Sequence, residues 1–174
     1  MSLLVIAYPN IEPICFEWIQ KQRSRYDQYL FQIVNPHFTI VFPVNDVTEP
    51  EFSQIVESCS NGIKRIEFEI KQVVAHEDLL TGKFLQFLIP EMGNDEIVQL
   101  HDQLYSGELK RHLRKDIPYI PHITIGSHDD MKACRQAVAQ INATNFQIHG
   151  TIDTLNIVAF ENNKITPVKT VVLQ

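Results

Sequence analysis

Pro36-His37-Phe38-Thr39-Ile40 and Pro121-His122-Ile123-Thr124-Ile125 are two copies of one pattern, set about half of a 174-residue chain apart. In each copy an apolar residue follows the His and another follows the Thr. That alternation predicts a short β-strand, because successive side chains on a strand point to opposite faces. His37 and Thr39 then share one face while Phe38 and Ile40 take the other. The same parity sets His122 and Thr124 against Ile123 and Ile125. The apolar faces pack inward, and the His/Thr faces are free to look into a cleft. Two such strands facing one another would gather two imidazoles and two hydroxyls around one volume. Imidazole serves as acid or base near neutral pH, and hydroxyls donate to phosphate oxygens, so the set suits acid–base chemistry on a phosphate. The competing reading is a duplicated structural strand. It is disfavoured because a Pro-initiated strand does not need His and Thr for packing.

The segments around the two copies extend the pattern. Arg25-Tyr26-Asp27, followed by Asn35 through Pro43, resembles the first half of the 2H phosphoesterase superfamily in its 2′-5′ RNA ligase-like branch. Leu100-His101-Asp102-Gln103-Leu104-Tyr105-Ser106-Gly107, followed by Ile117 through Gly126, resembles the second half. The resemblance implies two pseudo-symmetric lobes with the His/Thr strands across a central cleft. It implies metal-independent opening of a 2′,3′-cyclic phosphate to a 2′-phosphate, with reverse 2′-5′ joining as a minor activity. It also implies His37 as general acid and His122 as general base, with Thr39 and Thr124 as phosphate contacts. Some RNA-processing relatives carry a basic residue directly after the second tetrad. Here Gly126-Ser127 stands there, which counts against processing of long RNA and leaves a small cyclic phosphate open.

Composition sets the outer limits. The chain has a formal net charge of −6, against a large nonspecific nucleic-acid surface but compatible with a locally basic site for one nucleotide terminus. Three cysteines, Cys15, Cys59 and Cys134, are widely spaced, so neither a zinc site nor a disulfide framework is implied. A reducing cytoplasm is the expected compartment. No apolar run approaches the ~20 residues of a membrane span. No HxH, HExxH or DxD motif is present, and no cofactor is expected. The expected partner is an RNA terminus or a small cyclic nucleotide, bound by a monomer.

The remaining pattern predicts an α+β fold, with residues 1–174 forming a single bilobal domain of antiparallel sheets flanked by helices. Strands are expected at Leu3–Tyr8, Ile66–Val74, Phe84–Ile89, Phe146–Ile152, Thr154–Glu161 and Val168–Leu173. Helices are expected from Pro13 to about Arg25, after a Thr48/Glu51 capping box, from Asn94 or Asp95, and from Asp129 or Asp130. Residues 26–35 read as a connector, Glu108–Leu113 as an extra turn, and His76-Glu77-Asp78 as a turn. Two basic runs are rim candidates: Lys110, Arg111, Arg114 and Lys115, and then Lys21, Arg23 and Arg25. Arg114 is expected to contact substrate phosphate, and Tyr119 to stack on a base. His76, His101, His112, His128 and His149 read as solvated or structural. Two alternatives remain at this point. One is a noncatalytic RNA- or nucleotide-binding module, and the other is a 2H enzyme for another cyclic phosphate, such as that of ADP-ribose.

Overall fold

The computed structural model describes residues 1–79 and 81–174. In chain order the elements are β1 (Ser2–Ala7), β2 (Asn10–Ile11), α1 (Pro13–Tyr26), α2 (Gln28–Phe31), β3 (Phe38–Val44), α3 (Glu49–Ser60), β4 (Ile66–Asp78), β5 (Lys83–Met92) and α4 (Asn94–Leu104). A 3₁₀ turn at Glu108–His112 follows, then β6 (Ile123–His128), α5 (Met131–Asn142), β7 (Ile148–Ile152), β8 (Thr154–Glu161) and β9 (Lys164–Val172). The strands form two antiparallel sheets. One has the order β3-β1-β8-β9 and the other β2-β7-β4-β5-β6. The two motif strands, β3 and β6, are therefore each the edge of a different sheet.

Local chemistry explains the boundaries. Pro13 opens α1, where a missing N–H costs nothing. The Thr48 N–H donates to the Glu51 carboxylate at 3.1 Å, closing the capping box of α3. Asp130 caps α5 by accepting from the Ala133 N–H at 2.7 Å. Asn162 and Asn163 both adopt positive φ, 51° and 59°, which suits a tight hairpin between β8 and β9. The turn lets β9 start at Lys164, earlier than the Val168 expected from its apolar run.

The apolar faces of both sheets share one core. Phe38 from β3 meets Phe68 from β4 edge-on, with ring centroids 5.3 Å apart. Both are fully buried, so this contact joins the two sheets directly beneath the first motif. Ile40, Ile123 and Ile125 are buried in the same core. Their partners in the alternation, Thr39 and Thr124, are only partly buried, as period 2 requires.

Three sequence expectations are corrected. His76-Glu77-Asp78 is not a turn but the end of β4, paired with Leu85, Phe84 and Lys83 of β5. The cross-strand partners extend the ladder past the polar residues that suggest a break. The connector at 26–35 holds the short helix α2. Each motif strand begins one residue after its His, at Phe38 and Ile123, because the preceding prolines have no N–H to donate to a ladder. Among the described residues no helix is long and apolar enough to cross a membrane.

Candidate active site

The two motifs meet in one cavity of about 130 Å³, lined by His37, Thr39, His122 and Thr124 together with Arg23, Asp27, Leu30 and Pro36. At ~30 Å³ per water, such a space holds about four waters. That suits a phosphate group and leaves the rest of a nucleotide outside. Larger hollows lie on the surface, such as one of about 470 Å³ flanked by Glu12, Glu67 and His149. None of the motif residues lines it.

Both imidazoles are held in the same way. The His37 Nδ1–H donates to the Asn35 carbonyl at 2.8 Å, and the His122 Nδ1–H donates to the Ile120 carbonyl at 2.6 Å. In each case the acceptor lies two residues upstream, so one local bend serves both copies of the motif. A carbonyl accepts only, so Nδ1 carries the proton and Nε2 is left for chemistry. The ring of His122 is also clamped by stacking. Phe87 of β5 lies against it with centroids 3.5 Å apart, and His76 lies on the far side of Phe87 at 4.8 Å. The strand register explains the stack, since Phe87 pairs with Thr124 and Val74 with Phe87.

Burial disfavours the charged form of both imidazoles and holds each at about 4, well below its ordinary range. The Arg23 charge pushes His37 in the same direction, and His37 and His76 do so for His122. The free enzyme therefore carries two neutral rings at pH 7. An anion entering the cavity would reverse this, because an opposite charge nearby favours imidazolium. The kcat/KM profile reports the free enzyme and kcat the complex. The pH optimum for kcat is expected to lie above that for kcat/KM. Steady-state rates on a cyclic phosphate between pH 4 and 9 check this, and a kcat optimum at or below that of kcat/KM would contradict it.

Sequence reasoning grouped Arg23 with Lys21 and Arg25 as a surface cluster. The structure separates them. Lys21 and Arg25 are exposed, whereas Arg23 is 2% exposed and turned into the cavity wall. The missed signal is the spacing Ile19, Arg23, Asp27, four residues apart each time, which sets all three on one helical face. All three are buried.

Tyr119 and Arg114 are not in the cavity lining. The Tyr119 hydroxyl donates to the Thr39 carbonyl at 2.9 Å, and one face of its ring is covered by His101 at 3.6 Å and 4°. His101 occupies that ring face, so a base could stack only on the other one. His101 in turn donates from Nδ1 to the Ile40 carbonyl at 2.8 Å, and the Phe42 N–H donates to the Tyr105 hydroxyl at 3.0 Å. These side chains brace the backbone of β3, an edge strand that carries half of the site. Arg114 makes a two-pronged contact with Asp116. That carboxylate takes Nε and one N–H of Nη2.

Gly126 accounts for the missing basic residue after the second tetrad. A Cβ there would fall against the Gln86 side-chain amide and the Tyr26 Cβ. Gln86, its partner across the β5–β6 ladder, is fully buried, so nothing larger than glycine fits.

Comparison with known proteins agrees with this geometry. The family model for the 2′-5′ RNA ligase superfamily matches residues 12–164. A relative from Geobacillus sp. (strain WCH70), provisionally named a phosphoesterase, is 23% identical over 165 residues, covering 88% of this chain and 87% of that protein. TT0787 of Thermus thermophilus superposes with a TM-score of 0.63 at 12% identity, covering 99% of this chain and 98% of that one. E. coli LigT complexed with 3′-AMP superposes at 0.53 with 16% identity, covering 99% and 97%. With two His/Thr strands meeting in one cavity and a family match spanning most of its length, the chain belongs to the 2′-5′ RNA ligase superfamily of 2H phosphoesterases.

Proposed function

We propose that this protein is a metal-independent phosphodiesterase that opens 2′,3′-cyclic phosphates of nucleotides or RNA ends to 2′-phosphates. The observation that carries the reading is the shared cavity of His37, Thr39, His122 and Thr124, with Nε2 of both rings left for chemistry. One imidazole takes a proton from water as it attacks phosphorus. The P–O3′ bond breaks, and the other imidazole gives its proton to the departing ribose oxygen. Attack and departure occur on opposite sides of phosphorus, which suits two rings from two different strands. Thr39 and Thr124 donate to the nonbridging oxygens as charge builds there. Following the family resemblance, His37 is the acid and His122 the base. A substrate with a better leaving group should restore the acid variant more than the base variant.

The small cavity admits the phosphate and leaves the base at the rim, so weak base selectivity is expected. The nucleotide bound by the neighbour LigT supports a ligand of this class. 2′-5′ joining follows as a minor activity when a 5′-hydroxyl replaces water: its oxygen bonds to phosphorus as one imidazole takes its proton, the P–O3′ bond breaks, and the other imidazole protonates the departing 3′-oxygen.

A panel of 2′,3′-cyclic nucleotides and cyclic-phosphate-ended oligoribonucleotides, each in EDTA, tests the reading. The expected result is turnover that EDTA leaves unchanged, because the imidazoles and hydroxyls already supply acid, base and anion contacts. Loss of turnover on chelation, restored by Mg²⁺, Mn²⁺ or Zn²⁺, would contradict metal independence. Tight nucleotide binding with no turnover would point to a binding module.

A further inference from the structure

The cavity contains an ion pair that general acid–base chemistry does not need. Arg23 and Asp27 both line it, and they are 2% and 6% exposed. Burying a charge is costly unless it is compensated, so the pair calls for an account. Among the described residues of the lining, Arg23 is the only Lys or Arg and Asp27 the only carboxylate. The guanidinium has five N–H donors. Nη1 donates to Gln20 Oε1 at 2.9 Å and Nη2 to the Val34 carbonyl at 2.8 Å. Nε meets Asp27 Oδ2 at 3.5 Å. One N–H on each terminal nitrogen is left over. The Asp27 contact is long for a charge-assisted bond, which usually spans ~2.7–2.9 Å. Asp27 thus balances the Arg23 charge through Nε and leaves each terminal nitrogen a spare N–H.

We propose that the Arg23–Asp27 pair makes the cavity selective for singly charged phosphodiesters over doubly charged phosphomonoesters, so that it holds the cyclic substrate and releases the ring-opened product. This rests on the phosphodiesterase reading given above. Arg23 and Asp27 cancel, and the two imidazoles are neutral in the free enzyme. A monoanionic diester needs one compensating charge, which a single protonated imidazole supplies. A dianionic monoester needs two, and the fixed Asp27 carboxylate opposes the second. Arg23 meanwhile gives its spare N–H groups to a nonbridging oxygen. Gly126 leaves no room for a cation after the second tetrad, and α1, which packs against β6 there, provides the cation instead. It comes with an acid attached, and that acid turns a general anion site into one that reads charge.

Calorimetry at pH 8 with wild-type protein tests this, using 2′-AMP and its phosphate methyl ester as probes. The first is a dianion there, since the second phosphate pKa is ~6, and the second is a monoanion. The methyl ester is expected to bind at least about tenfold more tightly. In the isosteric variant Asp27→Asn, the ratio should collapse toward one, because the dianionic 2′-AMP gains more from the uncancelled Arg23 charge than the monoanionic methyl ester does. Equal or tighter binding of 2′-AMP by the wild type would overturn the proposal. A ratio unmoved in folded Asp27→Asn would overturn it too. Turnover of cyclic phosphate without charge preference would defeat this inference alone. Binding of neither probe and no turnover would defeat the phosphodiesterase reading as well.

Discussion

Replacing His37 or His122 with Ala is expected to slow turnover of a 2′,3′-cyclic phosphate by about 10²–10⁴-fold, the usual loss for a positioned acid or base. At ~1.36 kcal/mol per decade this is about 3–5 kcal/mol of transition-state stabilisation. The loss should fall on kcat. Loss of the ring that takes a proton as the phosphate arrives should raise KM as well, since its charge balances the bound anion. The two rings act as a unit, and the double variant should be little slower than the worse single variant. Thr39→Ala and Thr124→Ala should be milder, since each removes one neutral donor. Steady-state rates on purified, folded variants check this. Wild-type rates in both single His variants would contradict the mechanism.

The largest stability effect is expected at Phe38. Its ring is fully buried and rests edge-on against Phe68 of the other sheet. Phe38→Ala should cost about 3–5 kcal/mol, through lost transfer energy and a cavity between the sheets. That is a large share of the ~5–15 kcal/mol that holds a typical domain together. Phe38 lies between His37 and Thr39, so a milder change, Phe38→Leu, should lower activity as well as stability. Urea unfolding of the two variants measures the first effect. A loss below about 1 kcal/mol for Phe38→Ala would show that the sheets do not depend on this contact.

The parts that local rules govern could be read from the chain. The alternation in the two motifs set the buried and cavity-facing residues correctly. The Thr48/Glu51 box and Asp130 marked helix starts, because a cap is a local hydrogen bond. What escaped was tertiary. His76 looks like part of a polar turn, and only the β5 partner opposite makes it strand. Tyr119 read as a base-stacking residue and His101 as a solvated or structural one. They prove to brace the β3 backbone from segments more than sixty positions away. Arg23 was lost among neighbouring cations. Its helical phase with Ile19 and Asp27 was visible, but nothing local told which face of α1 met the cavity.

The central claim is that both imidazoles handle one phosphate. The most direct test is ¹⁵N NMR of the histidine rings during titration with uridine vanadate, a five-coordinate mimic of the ring-opening transition state. Such mimics bind more tightly than substrates when a site is built for the reaction. The Nε2 signals of His37 and His122 are expected to move in one saturable titration, with one ring taking the shifts of an imidazolium. Saturable binding that leaves either ring unmoved would contradict it.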